Sequence, residues 1–286
     1  NFKVGNLKKY SLDYKSLQKV NSGLIYCSIT GFGQTGPLAN LPGYDFVIQA
    51  MAGIMDLTGE TMGPPIKPGV AYADLFTSLY SVIAIEAALL AKKETGKGTF
   101  IDMSLFDTQL AMLANQASSF LLTGVTPKRM GNTHPSIVPY QVFEAKDGLI
   151  VIACGNDIQF KDLCDAFNWD FSVNSKFTTN QNRLKNRTEL IDKISKKLKA
   201  IRKDDITMKL QKAKVPVGSV NSVNQALNHP QALSRKIVKS LNGKPFVRTP
   251  ILFEDFDLIY EKAPPELGAS TQNIQRKITI NEIWEN

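Results

Sequence analysis

The chain has 286 residues, 43% hydrophobic and 21% charged, enough to bury a core and to build two modest domains. Its three cysteines (Cys27, Cys154, Cys164) and two histidines (His134, His229) are too few and too scattered for a zinc site, a disulfide framework or a Ser-His-Asp machine, so a reducing compartment and metal-free chemistry are expected. The whole net charge of +8 arises between Arg183 and Lys214, where twelve Lys or Arg meet four Asp or Glu; the apolar residues there fall on one helical face and no aromatic is interleaved, which points to a solvated helix and against a nucleic-acid partner.

In chain order, residues 24–29 read as a buried strand entering a glycine-rich turn. The run Gly31-Phe32-Gly33-Gln34-Thr35-Gly36 formally matches a dinucleotide fingerprint, but Pro37 and Pro42 follow and no helical period begins before Tyr44. A turn that lets backbone pass close to a ligand fits better. Helices are expected over 44–55 and 75–93, a strand over 99–103, and one long helix over 104–122 opened by Ser104 and Asp107. The helix after Asp74 is the most apolar stretch, yet Glu86, Thr77, Ser78 and Ser81 interrupt it and it falls short of the roughly 20 apolar residues of a membrane span, so a buried core helix and no membrane partner are expected. Asp74 itself stands where a helix N-cap is expected, with the dipole favouring its ionised form, and is a candidate nucleophile as well as a cap.

Beyond a linker-like stretch at 123–135 the texture changes. A hairpin over 137–143 and 149–153 turns at Lys146-Asp147-Gly148, Asn156 caps a helix to Phe167, Asn186 with Glu189 caps the basic helix, and Asp204 and Asp205 start the next. A final strand is expected over 246–253 and a helical tail over 271–284. The expected fold class is α/β, with a second, smaller α/β domain over 124–244.

Pro64-Pro65-Ile66-Lys67-Pro68-Gly69-Val70-Ala71-Tyr72-Ala73-Asp74, the turn Thr95-Gly96-Lys97-Gly98-Thr99-Phe100-Ile101-Asp102, and Ser104-Leu105-Phe106-Asp107 together resemble the core of the family III CoA-transferases. The resemblance extends back through Asn1-Phe2-Lys3, Tyr26 to Pro37 and Gly43-Tyr44-Asp45, and forward through His134-Pro135-Ser136 to Ala263-Pro264-Pro265-Glu266-Leu267-Gly268, with the wording of the succinate–hydroxymethylglutarate branch. It implies a Rossmann-like large domain, incomplete here, over 1–123, to which the chain returns over 245–286, in an interlocked-ring fold whose two subunits thread through each other as a homodimer. It also implies that Asp74 is the catalytic nucleophile, that Asn1, Phe2, Lys9, Thr30, Gly31, Phe32 and Gly33 hold CoA, and that Tyr44, His134 and Tyr140 stand near the substrate. No metal and no permanently bound cofactor are implied; acyl-CoA and a carboxylic acid are the small-molecule partners. Lys9 replaces a more usual Arg and loses bidentate phosphate geometry, and Thr30 replaces the Lys of the formyl-CoA branch, which disfavours oxalate and formate. Set against the family, an amino-terminal Rossmann-type half is missing, so the chain is expected to be a fragment with little or no activity alone. A mitochondrial location follows from the resemblance, a cytoplasmic one otherwise.

The implied reaction moves CoA from succinyl-CoA to glutarate or hydroxymethylglutarate through an aspartyl-CoA thioester. One alternative is a racemase like the family's α-methylacyl-CoA branch, where a His pairs with the Asp; here that position is Tyr44, and a phenol with an ordinary pKa near 10 is a poor partner for two-base proton transfer at neutral pH. The other is an inactive remnant or interaction module.

Overall fold

The computed structural model describes residues 1–279. Helix α1 (Tyr14–Val20) leads into strand β1 (Tyr26–Thr30), helices α2 (Asp45–Met51) and α3 (Ile54–Leu57), the long α4 (Tyr72–Thr95), strand β2 (Phe100–Ser104), and helices α5 (Leu105–Ala111) and α6 (Ala114–Thr123). Strands β1 and β2 pair in parallel, Tyr26 opposite Phe100 and Thr30 opposite Ser104, so α4 lies on the crossover that a parallel pair requires. Two of the expected helices are broken. Gly53, at φ +91°, separates α2 from α3, and Ala114, at φ +48°, separates α5 from α6. The Ser104 hydroxyl accepts from the Asp107 N–H, so the expected start of α5 holds even though its end does not.

The second region opens with the antiparallel β3 (Tyr140–Ala145) and β4 (Gly148–Ala153), joined at Lys146 and Asp147. Helices α7 (Asp157–Ala166), α8 (Asn180–Lys185), α9 (Arg187–Leu198) and α10 (Lys203–Lys212) follow, and β5 (Val217–Ser219) closes the sheet in the order β3-β4-β5. Ile150 and Ile152 alternate into the core on β4, where Phe160, Leu163, Phe177, Leu190, Ile194, Leu198, Ile206 and Leu210 meet them. Asn156 caps α7 as expected. Asn186 does not cap α9 with its side chain; its amide donates to the Lys176 and Asn182 carbonyls instead. Arg183 is wholly buried and spends its donors on the Val138 carbonyl (2.6 Å), the Phe177 carbonyl (3.0 Å) and the Asp157 carboxylate (2.7 Å), against the Phe160 ring.

Helices α11 (Val223–Leu227) and α12 (Pro230–Ser234) lead to a hairpin of β6 (Val238–Leu241) and β7 (Lys244–Val247). The strand expected over 246–253 is therefore displaced: pairing ends at Val247, and the Arg248 guanidinium turns back onto the carbonyls of Arg235 and Lys236. The last helix, α13 (Thr271–Thr279), covers the start of the expected tail; the remainder of that tail lies outside the described residues.

Helix α4 contradicts the expectation of a buried core helix. Its buried side chains are the small Ala73, Thr77 and Ser81, spaced four apart, and it packs through them on neighbours including α2 and α5. The Thr77 and Ser81 hydroxyls are satisfied by the carbonyls four residues back, at 2.7 Å each. Its apolar side chains point outward: Leu79 is 59% and Ile83 60% exposed. Also against expectation, α4 is long and apolar enough to cross a membrane by length and composition, the one such helix among the described residues.

Candidate active site

Strand β1 ends at Thr30, and the chain turns through Gly31 and passes Gly43 at backbone contact. A Cβ on Gly31 would meet the Gly43 Cα at 2.5 Å, and one on Gly43 would meet the Gly31 Cα at 2.7 Å. Only two glycines permit this approach. It seats Tyr44 and Asp45, which open α2, beside the first turn of α4, and between these segments lies a cleft of about 490 Å³, within the size range of small-molecule sites.

Six of the residues expected at the site line this cleft: Asn1, Phe2, Thr30, Gly31, Tyr44 and Asp74. Lys3, Asp45, Thr77 and Ser78 line it too. Lys9 is elsewhere, its ammonium 4.9 Å from the centroid of the Tyr10 ring, so Lys3 is the lysine in the lining. Phe32 packs on Phe106 with centroids 6.0 Å apart and belongs to the small apolar cluster of Ile48, Ala73 and Leu105. Gly33, at φ +85°, donates its N–H to the Thr30 hydroxyl, and Gln34 donates to the Asp102 carboxylate at 3.0 Å, so these two N–H groups of the glycine turn are committed to holding the loop. His134 and Tyr140 pack edge to face 5.0 Å apart where the chain enters β3, and neither lines the cleft. Arg129, from the segment before them, pairs with Asp56 at 2.6 Å.

Asp74 is not the N-cap of α4. The helix begins at Tyr72, Ala71 occupies the cap position without a side-chain bond, and Asp74 is in the first turn. The oxygen that caps this helix comes from another element: Asp45 Oδ1 accepts from the Ala73 N–H at 2.8 Å and the Asp74 N–H at 3.3 Å. Sequence reasoning missed Asp45, although an Asp followed four residues later by Gln49 at a helix start was there to be read. The expected ionising effect of the helix end is also opposed. Desolvation by the cleft wall, with the Asp45 charge second, raises the Asp74 carboxyl above its ordinary value. A carboxylate that is more basic than usual and still faces the open cleft is a better nucleophile when ionised.

The thiols are not part of this site. Burial pushes Cys154 up to about 12 and Cys164 up to about 11, so neither supplies a thiolate near neutrality. Among the described residues no group of three or more His, Cys, Asp or Glu could hold a metal ion.

The sequence pattern of CoA-transferase family III matches residues 1–271. A succinate–glutarate CoA-transferase of Agrobacterium fabrum is 42% identical over 98% of this chain and 73% of its own length. The succinyl-CoA:glutarate CoA-transferase of Homo sapiens is 38% identical over 97% of this chain and 65% of its own, so the chain spans just under two thirds of that relative. An acetyl-CoA:oxalate CoA-transferase of Acetobacter aceti is also 38% identical, over 99% of this chain and 73% of its own. Among solved structures, a CAIB/BAIF family protein from Brucella suis superimposes with a TM-score of 0.87 at 48% identity, covering 97% of this chain and 74% of that one.

Proposed function

Because this chain belongs to CoA-transferase family III, we propose that it carries the catalytic carboxylate, Asp74, of an enzyme that moves CoA from succinyl-CoA to a short dicarboxylic acid such as glutarate. The observation that carries the reading is the position of Asp74 in the first helical turn at an open cleft, with Asn1, Phe2, Thr30, Gly31 and Tyr44 around it.

The chemistry balances without a metal or an external base. An Asp74 oxygen attacks the thioester carbonyl carbon, the carbon–sulfur bond breaks, and CoA leaves as a thiolate with a mixed anhydride left on Asp74. The thiolate attacks the aspartyl carbonyl, releasing succinate and forming the aspartyl-CoA thioester. The acceptor carboxylate then attacks that thioester, CoA leaves again, and its attack on the acceptor's carbonyl releases the new acyl-CoA and regenerates Asp74. The protein's tasks are to hold the thioester against Asp74 and to keep water from the anhydride.

Two observations bear on the alternatives. None of the residues lining the cleft is a histidine, and Tyr44 is 79% exposed, which favours group transfer over proton shuttling at an α-carbon. Glutarate is favoured as acceptor by the Agrobacterium and human relatives; the Acetobacter relative, named for oxalate, makes oxalate the competitor to include. The outward apolar side of α4 supports an assembly with a second subunit, in keeping with the interlocked homodimer that the family resemblance implies.

The test is Asp74→Asn in the full protein. Folding survives because Asp45, not Asp74, caps the helix, while CoA exchange between succinyl-CoA and glutarate falls by at least about a thousandfold through loss of the nucleophile. Trapping the wild-type protein with succinyl-CoA and hydroxylamine and mapping the adduct by mass spectrometry places the mark on Asp74; a mark on any other residue would sink the mechanism.

A further inference from the structure

We propose that Asp45 and Gln49 are positioning residues for Asp74: Gln49 holds Asp45, Asp45 holds the first turn of α4, and the orientation of the Asp74 carboxylate in the cleft follows from that chain of contacts. The reaction part of this proposal rests on the transferase reading; the geometric part does not.

The contacts form one line. Gln49 is fully buried on α2, and its Nε2 donates to Asp45 Oδ2 at 2.6 Å and more weakly to the Val70 carbonyl at 3.4 Å. The opposite oxygen, Asp45 Oδ1, accepts from the Ala73 and Asp74 N–H groups. Both oxygens of one carboxylate are therefore committed, one to its own helix and one to the helix that carries Asp74. Ordinary helix starts are capped from the residue just before them, which fixes the helix only to its own chain neighbour. A cap supplied across 28 residues fixes the α4 terminus to the wall of the cleft that Tyr44 and Asp45 build. The Val70 carbonyl, on the segment entering α4, is tied to the same amide.

A merely structural cap would have no need to be charged. An amide oxygen caps about as well as a carboxylate. Here the carboxylate sets two like charges at one helix end, and the Asp45 charge raises the Asp74 carboxyl, behind only the desolvation of the cleft wall. The other ionisable side chains lining the cleft are Lys3 and Tyr44, and neither is among the causes of the shift. The sign follows: removing the Asp45 charge lowers the Asp74 midpoint, so the acid limb of any reaction needing the Asp74 anion moves to lower pH. Gln49 Oε1 is buried without a partner among the described residues. The same orphan makes Asp45→Asn a mild change: the Gln49 amide can turn and offer Oε1 to the new N–H donor, while the retained oxygen still caps α4.

The experiment labels the aspartate carboxyl carbons with ¹³C in the full protein, assigns Asp74 by its loss in Asp74→Asn, and titrates it in wild type, Asp45→Asn and Gln49→Met. The Asp74 midpoint moves to lower pH in Asp45→Asn, where the neighbouring charge is gone, and kcat for CoA exchange falls between about ten- and a hundredfold in Gln49→Met with KM little changed, as expected for a misaligned nucleophile. If Gln49→Met folds and leaves kcat unmoved, the role of Gln49 is overturned. An unmoved midpoint in Asp45→Asn overturns the role of Asp45, and that arm decides the matter if Gln49→Met does not fold. A midpoint that moves as stated in a protein lacking CoA exchange supports the geometry and rejects the transferase reading alone.

Discussion

The region from Val138 to Val217 and the region that carries Asp74 bury their apolar residues in opposite ways. In the first, eighteen residues form one cluster around the face of a three-stranded sheet, with Arg183 tying the α8 turn to Val138 and Phe177 from inside. In the second, the buried cluster consists of Ile48, Ala73 and Leu105 with a few half-buried neighbours, while Leu75, Leu79, Val82, Ile83 and Leu90 on α4 and Leu121 and Leu122 on α6 face outward. One region carries its stability with it. The other carries the proposed site on a scaffold whose apolar flank faces outward, and a parallel pair of strands with no further neighbour in its sheet among the described residues belongs to the same pattern.

That contrast can be broken at several points. The largest effect is expected from Phe177→Ala, which empties a fully buried site and costs about 3–5 kcal/mol in urea unfolding followed by Trp169 fluorescence; a cost under about 1 kcal/mol would remove the self-sufficient core from the comparison. Gly31→Ala forces a methyl group against the Gly43 backbone and costs about 1–3 kcal/mol of overpacking in the region of Asp74, read as faster amide exchange in α2 and the start of α4 with β4 unaffected.

A pH test sharpens the contrast further. Cys154 and Cys164 have folded values of about 12 and about 11 against an ordinary 9.0, so both hold their protons more tightly folded than unfolded. Their contribution is complete below the unfolded value and is lost as pH rises through the folded ones, and the urea midpoint of this region should fall between about pH 9 and pH 12. Replacing both cysteines by Ala should flatten that slope; an unchanged slope would place its origin elsewhere. The smallest effect is expected from Leu79→Gln on the exposed side of α4, within about 0.5 kcal/mol for the chain alone. Sedimentation of the same variant should show weaker self-association, and a loss of several kcal/mol instead would mean that α4 is packed from within.

Much of this was legible in the residues. The alternation of β4, the turn at Lys146 and Asp147, the Asn156 cap and the Ser104 start are short-range signals, and they gave the right elements. The Asp74 segment stands out in the sequence because its motif is contiguous. The helix start was misread because its cap comes from Asp45, 28 residues earlier, and a contact at that range leaves no period in the sequence. The burial of α4 was misread for a different reason. Apolar content says that a helix face will be covered, not which chain or segment covers it, and the buried side proved to be the small and hydroxylic one. The family's spacing points to Lys9, and the structure places Lys3 at the cleft instead. His134 and Tyr140 were selected by motif, and their packing against each other is a tertiary fact that no local signal carried.

The mutual contact of Gly31 and Gly43 bears on which acids the proposed transferase would accept. Where two backbones touch without side chains between them, there is no lever for prying them apart, and the turn after β1 and the start of α2 must travel together. The aperture before Asp74 is then a fixed gauge on that side rather than a jaw. On the proposed transferase reading, selectivity among acids of different length would be set by whatever reaches across from the Asn1 to Lys3 segment and from Tyr44, and enlarging the range of acceptors would call for trimming those side chains, since loosening the glycines would dismantle both walls at once.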